Sequence, residues 1–284
     1  MPTESRSKFN KYIAPGLFAV SKESFKRYPE TWKQFVSLRT SKRAYEESGY
    51  TSGFGFLINK REGEPFKYDA RIQGPIKRWV HDTWALGCRI TQEAIEDVLY
   101  GIMTRAMKDL GVSAAATRHL LAIRLIMTGE TTNYHTGGDG LPIFATNHPR
   151  LGGGTWSNLG VAADPTEASL TAAIQDFEDI VDHRGKRYEQ RARYVWCGPK
   201  HEFTMAKLLE SAYEPETPNN AINAIARRRN LTLVIDSEIT DGRWGVMGEK
   251  DSDIGLIWFD RIKPSLSRTG DPDTGDAKFF IRMR

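Results

Sequence analysis

The chain is predicted to adopt an α+β fold, and three observations carry that expectation. Helix-like and strand-like segments do not alternate as βαβ units, which disfavours a doubly wound sheet. One stretch with helical spacing, from Thr91 to Gly129, is far longer than any other element. Two more segments, a basic aromatic-bearing arm and a glycine-bracketed hairpin, cannot bury a core by themselves and must dock on something else.

The arm comes first. Residues 1–49 are polar and basic, with widely spaced aromatics that include Trp32 and Phe35. A short helix is expected within 21–45, capped by Ser21 or Ser24, with Trp32, Phe35 and Val36 as its apolar stripe. Residues 50–78 read as a long hairpin. Phe54, Phe56 and Ile58 alternate on the outward strand, and Phe66, Tyr68, Ala70 and Ile72 on the return. Lys60-Arg61-Glu62-Gly63 supplies the turn. Exposed aromatic positions on such a hairpin invite a partner.

Residues 78–90 read as one strand. Thr91 then caps a helix with Glu93 and Glu96 in its first turn, where acidic groups favour the helix dipole. Ile95, Val98, Leu99, Ile102, Met103, Ala106, Met107 and Leu110 follow helical spacing. Gly111 is expected to bend or end this helix, Ser113 to start a second stretch, and Gly129 to stop it. Asp164-Pro-Thr-Glu opens a helix over about 165–183. Residues 193–197 form a short strand, and Pro199 starts a further helix. Residues 214–229 are polar, with Asn219, Asn220, Asn223 and the run Arg227, Arg228, Arg229. Strands are expected at 231–235, 244–247, 255–259 and 278–283.

Composition narrows the function classes. A chain of 284 residues with 39% hydrophobic and 27% charged residues fits a globular protein of one large or two modest domains. No run of 18 apolar residues occurs, so no membrane span and no membrane partner are expected. The first residues lack the apolar core of a secretory signal, and Cys88 and Cys197 lack spacing partners for a zinc site or disulfide framework, so a reducing cytosol is the expected compartment. Charge is uneven. Residues 1–80 carry 16 Lys/Arg against 8 Asp/Glu, a net of +8, while the whole chain is +4. Either the arm is a solvated basic face or it meets an acidic partner such as nucleic acid or a neighbouring subunit. No base-reading motif accompanies the charge, so any nucleic-acid contact would be non-specific.

Residues 139–158, from Asp139-Gly140 through His148-Pro149 and Gly152-Gly153-Gly154 to Ser157-Asn158, are the most informative stretch. Gly152-Gly-Gly-Thr155 lacks the Gly-Lys-Ser/Thr ending of a phosphate loop, so its glycines serve positive φ angles and close backbone approach. Asp139, His135 and His148 lack metal-ligand spacing, and the favoured role for Asp139 and His148 is to hold the loop by hydrogen bonds. Asp271-x-Asp273-x-Gly275-Asp276 resembles half a calcium loop without its distal Glu, and a surface turn is expected there. No Gly-x-Ser-x-Gly elbow occurs. The chain therefore calls for no catalytic residue, metal or cofactor, and is expected not to be an enzyme.

The 139–158 pattern, with Phe144, His148-Pro149, Gly152-Gly153 and Ser157-Asn158 in order, resembles the corresponding loop of tailed-bacteriophage major capsid proteins of the Hong Kong 97-type fold. Leu86-Gly87 with Ile90-Thr91, Ala168-Ser169-Leu170, Gly198-Pro199, Trp244 and Gly255-Leu256-Ile257 continue the likeness. They resemble in particular the branch that includes the phage Mu major head subunit. The resemblance implies an α+β capsid subunit with five parts: an N-terminal arm (1–49), an extended hairpin loop (50–78), a peripheral domain with a spine helix and the glycine-rich loop (79–164), an axial domain (165–260), and strands returning to the peripheral domain (261–284). It implies self-assembly as hexamers and pentamers into an icosahedral shell around double-stranded DNA. Expected partners are a scaffolding protein, a portal and possible decoration proteins, with assembly in the host bacterial cytoplasm and residence in the virion capsid. Expected inter-subunit contacts are Trp32, Phe35, Phe54, Phe56, Lys60, Arg61, Phe66, Tyr68, Arg227, Arg228 and Arg229. Expected loop-structuring residues are Asp139, His148, Gly152, Gly153 and Asn158. Two other readings stand beside this one: a cellular nanocompartment shell of the same fold, and a hydrolase using Asp139 and His148.

Overall fold

The structure is a computed structural model that describes residues 6–97, 100–133, 135–188, 190–211, 223–250, 255–271 and 273–284. Val98 and Leu99 of the predicted helix, and Asn219 and Asn220, lie outside the described residues. In chain order the elements begin with helix α1 (Arg6–Arg27), a first 3-10 turn (Thr31–Gln34), and strands β1 (Val36–Thr40), β2 (Tyr45–Thr51), β3 (Gln73–Val80) and β4 (Trp84–Ile90). Helices α2 (Gln92–Glu96) and α3 (Tyr100–Met127) follow, then the short strands β5 (His148–Pro149) and β6 (Thr155–Trp156). The remainder is α4 (Glu167–Glu178), β7 (Tyr194–Cys197), a second 3-10 turn (Pro199–His201), α5 (Glu202–Glu210), α6 (Ala224–Arg228), β8 (Thr232–Ile235), β9 (Trp244–Met247), β10 (Leu256–Asp260), β11 (Ser265–Gly270) and β12 (Ala277–Met283). The mixture is α+β.

Helix α3 organises the packing because its two halves serve two cores. Met103, Met107, Leu110 and Ala114 pack with Leu17 of α1 and with Ile90, Ala277, Phe279 and Ile281 from a three-stranded sheet of order β11-β12-β4. Ala122, Ile123 and Ile126 pack instead with Trp32, Phe35, Trp196 and Val234. Burying each large side chain of this kind contributes about 1.5–3 kcal/mol. The second sheet, of order β8-β7-β9, shows period-two logic. Trp196 points to the α3 side, while Val195 and Cys197 point to a third core formed with Leu170 and Ile174 of α4, Met205 and Leu208 of α5, and Ile225 of α6. The sheet is thus sandwiched between α3 and the helices that follow.

Several sequence expectations are corrected. Instead of a helix within 21–45, α1 spans Arg6–Arg27 and runs through Pro15. It stops before Pro29, since the residue preceding proline is disfavoured in helical conformation. Ser21 and Ser24 are therefore not caps. They lie on the face of α1 that includes Leu17, and all three are buried. Gly111 neither bends nor ends α3. A Cβ there would lie 2.3 Å from the Ser21 carbonyl oxygen, so the glycine lets two helix backbones approach closely. Trp32 and Phe35 are 0% and 2% exposed. They belong to the protein's own core and have no surface left for a neighbour.

The predicted 78–90 strand is two strands, β3 and β4, broken at 81–83. Strands β1, β2 and β11 had no separate prediction. Strand β1 pairs in parallel with β10, Val36 opposite Leu256 and Thr40 opposite Asp260. A buried polar knot supports this junction. Arg118 of α3 pairs with Asp260 at 2.6 Å and Glu30 at 3.4 Å, with its guanidinium carbon 5.2 Å from the Trp32 ring and 5.6 Å from the Trp258 ring. Next to it, His119 Nε2 meets Asp236 at 3.1 Å, and Asp236 also accepts from Thr31 Oγ1 and from the Glu238 N–H.

One further correction concerns membranes. By length and composition Gly101–Met127 could span one, with a mean hydropathy of 1.3, because residues 110–127 carry only Arg118 and Arg124 as charges. Half of its apolar window is buried within the fold against the first two cores, as befits a core helix.

Substituting Gly111→Ala is expected to destabilise the unassembled chain by about 1–3 kcal/mol, the usual cost of overpacking. Denaturant unfolding measures this. An unchanged or higher midpoint, as helix propensity alone would produce, would refute the close-approach role.

Candidate assembly surface

The hairpin predicted over 50–78 exists, but its ladder is confined to its base. Strands β2 and β3 pair antiparallel from Tyr45–Val80 to Thr51–Gln73, with a register shift between Gly49 and Thr51. The last backbone bond is Ser52 N–H to the Ile72 carbonyl at 2.9 Å. Beyond it, residues 52–72 carry no regular strand, although the sequence pattern at 54–58 and 66–72 is that of strands. A two-stranded ribbon with no third strand or helix against it is at best marginal in water.

This excursion presents a concentrated apolar surface. Phe56, Phe66 and Tyr68 are 71%, 72% and 95% exposed, and Phe54, Leu57 and Ile58 are exposed with them. Lys60 sits 5.2 Å from the Phe66 ring centroid and Arg71 lies 4.9 Å from that of Phe54, so cations decorate the aromatic faces. Scattered exposed apolar residues need no explanation, whereas these six exposed large apolar side chains within one short excursion make it the candidate interaction surface of this chain. Its polar context is exposed Lys60 and Arg61.

The root of the excursion is fixed, and the glycine-rich loop helps to fix it. Strands β5 and β6 form a small hairpin, His148 opposite Trp156. Gly153 and Gly154 close its turn at φ of 97° and 78°, angles that favour glycine. A Cβ on Gly152 would lie 2.6 Å from the His183 carbonyl. Asp139 accepts from His148 Nδ1 at 2.6 Å and from the Leu141 N–H at 3.1 Å. Asn158 clamps the other side, accepting from the Ala145 N–H at 2.9 Å and donating to the Ile143 carbonyl at 2.7 Å. Burial pushes the Asp139 carboxyl up, but the hydrogen bonds from His148 and Leu141 outweigh it and hold its pKa below the ordinary 3.8.

From this loop, Arg150 donates to the carbonyls of Val181 and Asp182 at 2.9 and 3.0 Å, and the Leu151 N–H donates to His183 Nδ1 at 3.3 Å. The 181–187 turn then grips the excursion. The rings of His183 and Tyr50 stack at 4.7 Å and 11°. Arg184 donates to Ser52 Oγ at 3.2 Å, to the Ala70 carbonyl at 2.5 Å and to Asp69 at 3.3 Å. Asp69 in turn accepts from the Gly55 N–H at 2.8 Å. Burial, then the nearby Arg150, lowers the pKa of His183, consistent with a bare Nδ1 that accepts from Leu151. Sequence reasoning missed Arg150, His183, Arg184 and Asp69. The one available signal was Asp182-His-Arg-Gly185, a turn signature with Gly185 at φ 81°.

The other expected residues fall apart in space and role. Arg227 and Arg228 are exposed near the end of α6. Arg229 makes a two-pronged pair with Glu178 of its own chain, including a 2.9 Å contact, so its acidic partner is internal. The calcium-like turn is satisfied internally: Asp271 pairs with Lys278 at 2.6 Å and Asp276 with Arg89. The Asp139–His148 pair has a substrate-free explanation. Both side chains are largely buried and both bond within the loop, His148 Nε2 facing the Ile143 carbonyl at 3.3 Å.

Comparison with known proteins agrees with this geometry. Residues 77–284 match the phage capsid protein family, well over half of the chain, and the protein belongs to that family. Its fold is shared with solved shells. The bacteriophage JBD30 capsid is similar at a TM-score of 0.60 and 14% identity, covering 75% of this chain and 92% of that one. The JBD30 capsid decorated with minor capsid protein trimers gives 0.57 and 11% over the same shares. The capsid of an empty GTA particle gives 0.52 and 12%, covering 91% and 85%. No curated protein matches the chain. Family and fold are those of a structural capsid protein, not an enzyme, and the hydrolase and nanocompartment readings are not favoured.

Replacing Asp139 by Asn is expected to cost about 1–3 kcal/mol, the range for a buried hydrogen bond involving charge. The lowered pKa means that Asp139 stabilises the fold fully above pH 3.8 and that this contribution is lost as pH falls through its lower folded value. Stability measured across acid pH should therefore fall less steeply below pH 3.8 in the variant. Identical acid profiles would show that the pair does not hold the loop.

Proposed function

We propose that this protein is the major head subunit of a tailed phage. In this reading it assembles as hexamers and pentamers into an icosahedral shell around double-stranded DNA. The carrying observation is the 52–72 excursion: a run of exposed aromatic side chains on a root fixed by specific hydrogen bonds. Such an arrangement is costly for a lone subunit and stabilising once a neighbour covers it. Phe54, Phe56, Lys60, Arg61, Phe66 and Tyr68 form the contact. Many such weak dockings around a closed lattice combine into a stable shell.

The arm (1–49), hairpin (50–78), peripheral domain (79–164), axial domain (165–260) and returning strands (261–284) are the working division of the subunit. The pairing of β12 with both β4 and β11 supports grouping the last segment with the peripheral domain. The ordered motif set supports placement near the branch of the phage Mu head subunit. A separate scaffolding protein, a portal and decoration proteins complete the proposed assembly, which takes place in the host cytoplasm. The decorated JBD30 capsid offers a precedent for minor capsid proteins on a shell of this fold.

The triple variant Phe56→Ser, Phe66→Ser, Tyr68→Ser is expected to fold with an unchanged thermal midpoint, since these side chains are exposed, but to yield no closed shells by electron microscopy. Normal shells from this variant would overturn the contact assignment.

A further inference from the structure

A second feature lies away from the excursion. Residues 190–193 just before β7, the end of α6 with Arg229 and Asn230, and Glu249 after β9 enclose a cleft of about 560 Å³. Its charged lining is Arg191, Arg193, Arg228 and Arg229 against Glu249. Arg229 is neutralised by Glu178. Among the described residues no ion pair joins Arg191, Arg193 or Arg228 to an acid. Guanidinium groups gathered in one concavity repel one another, and an anion placed between them converts that repulsion into attraction.

The backbone beneath the cleft is fixed. The Arg193 N–H donates to the Met247 carbonyl at 2.8 Å, and its carbonyl accepts from the Thr232 N–H at 2.9 Å, so this arginine stands on the sheet. Arg228 ends a helix capped by Asn223. Arg193 is thus anchored to the sheet, with its guanidinium donating to the Asn230 carbonyl at 3.3 Å, and Arg228 closes a short capped helix.

We infer that this cleft binds the phosphate backbone of double-stranded DNA. Arginine forks match phosphate oxygens in geometry. No aromatic side chain lines the cleft among the described residues, so it offers no stacking platform of the kind that single-stranded nucleic acid uses. Phosphate contacts without base contacts fix position and carry no sequence information, which suits a shell that must accept any packaged sequence. The inference rests on the shell reading for its biological setting, but the binding itself can be measured without a shell.

The test uses the unassembled full-length chain and a short labelled DNA duplex, with anisotropy followed over a salt series. Each phosphate contact adds roughly 0.9 to the slope of log K against log salt. The double variant R191Q/R228Q, which alters two exposed side chains, is expected to bind with a slope shallower by about 2 while still forming shells by electron microscopy. The single variants R191Q and R228Q, expected to lose about 1 each, keep the test decisive if the double variant folds poorly. An unchanged slope overturns the inference. So does loss of shell formation with unchanged duplex binding, which would make the cleft a subunit interface for an acidic protein surface. Native chain that forms no shell under any condition would overturn the shell reading alone, while the slope still decides the cleft.

Discussion

The structure depends on one constraint: α3 must satisfy two cores at once. Its first half closes over the β11-β12-β4 sheet and α1, and its second half over Trp32, Phe35 and one face of the β8-β7-β9 sheet. Between the halves sits Arg118, buried and paired with both Glu30 and Asp260. A buried charge left without its partners is strongly destabilising, so this knot tolerates little rearrangement. The segment after α1, the parallel β1–β10 pair and the spine are thereby locked as one body. Gly111 serves the same constraint, since without it the backbone of α1 could not lie so close to α3.

A rigid body of this kind can carry a segment that does not fold on its own. The 52–72 excursion has few internal bonds beyond its base, yet its direction is set by Arg184, His183 and Tyr50. The glycine-rich loop acts one step back, through Arg150 and Leu151, on the turn that holds the root. The loop is thus a bracket for the root of the excursion. Asp139 and His148 are part of that bracket, which accounts for their burial and mutual bond without any catalytic role.

Much of this was legible in the sequence where signals are local. The spine, β9, α4 and β12 follow from periodicity and caps, and the Thr91 cap and the Thr166–Ser169 capping box are local chemistry. What was not legible depends on distant partners. Strand β1 is a strand because β10, far along the chain, pairs with it. Trp32 and Phe35 read as arm aromatics available to a neighbour, because nothing near them in sequence announces the α3 face that buries them. Gly111 looks like a breaker until the Ser21 carbonyl is placed against it. The strand pattern in 54–58 and 66–72 did not become strands, because alternation in sequence does not supply a partner strand. Exposure of the aromatics at Phe54, Phe56, Phe66 and Tyr68 could be read early because the hairpin had no visible core to join.

Amide hydrogen exchange on the free subunit and on assembled shells tests the central claim most directly. The account predicts rapid exchange across 54–70 in the subunit, marked protection of that segment in the shell, and strong protection of α3 in both. Equal exchange of 54–70 in the two states, or an α3 that gains its protection only on assembly, would contradict a pre-formed two-core body whose excursion is completed by a neighbour.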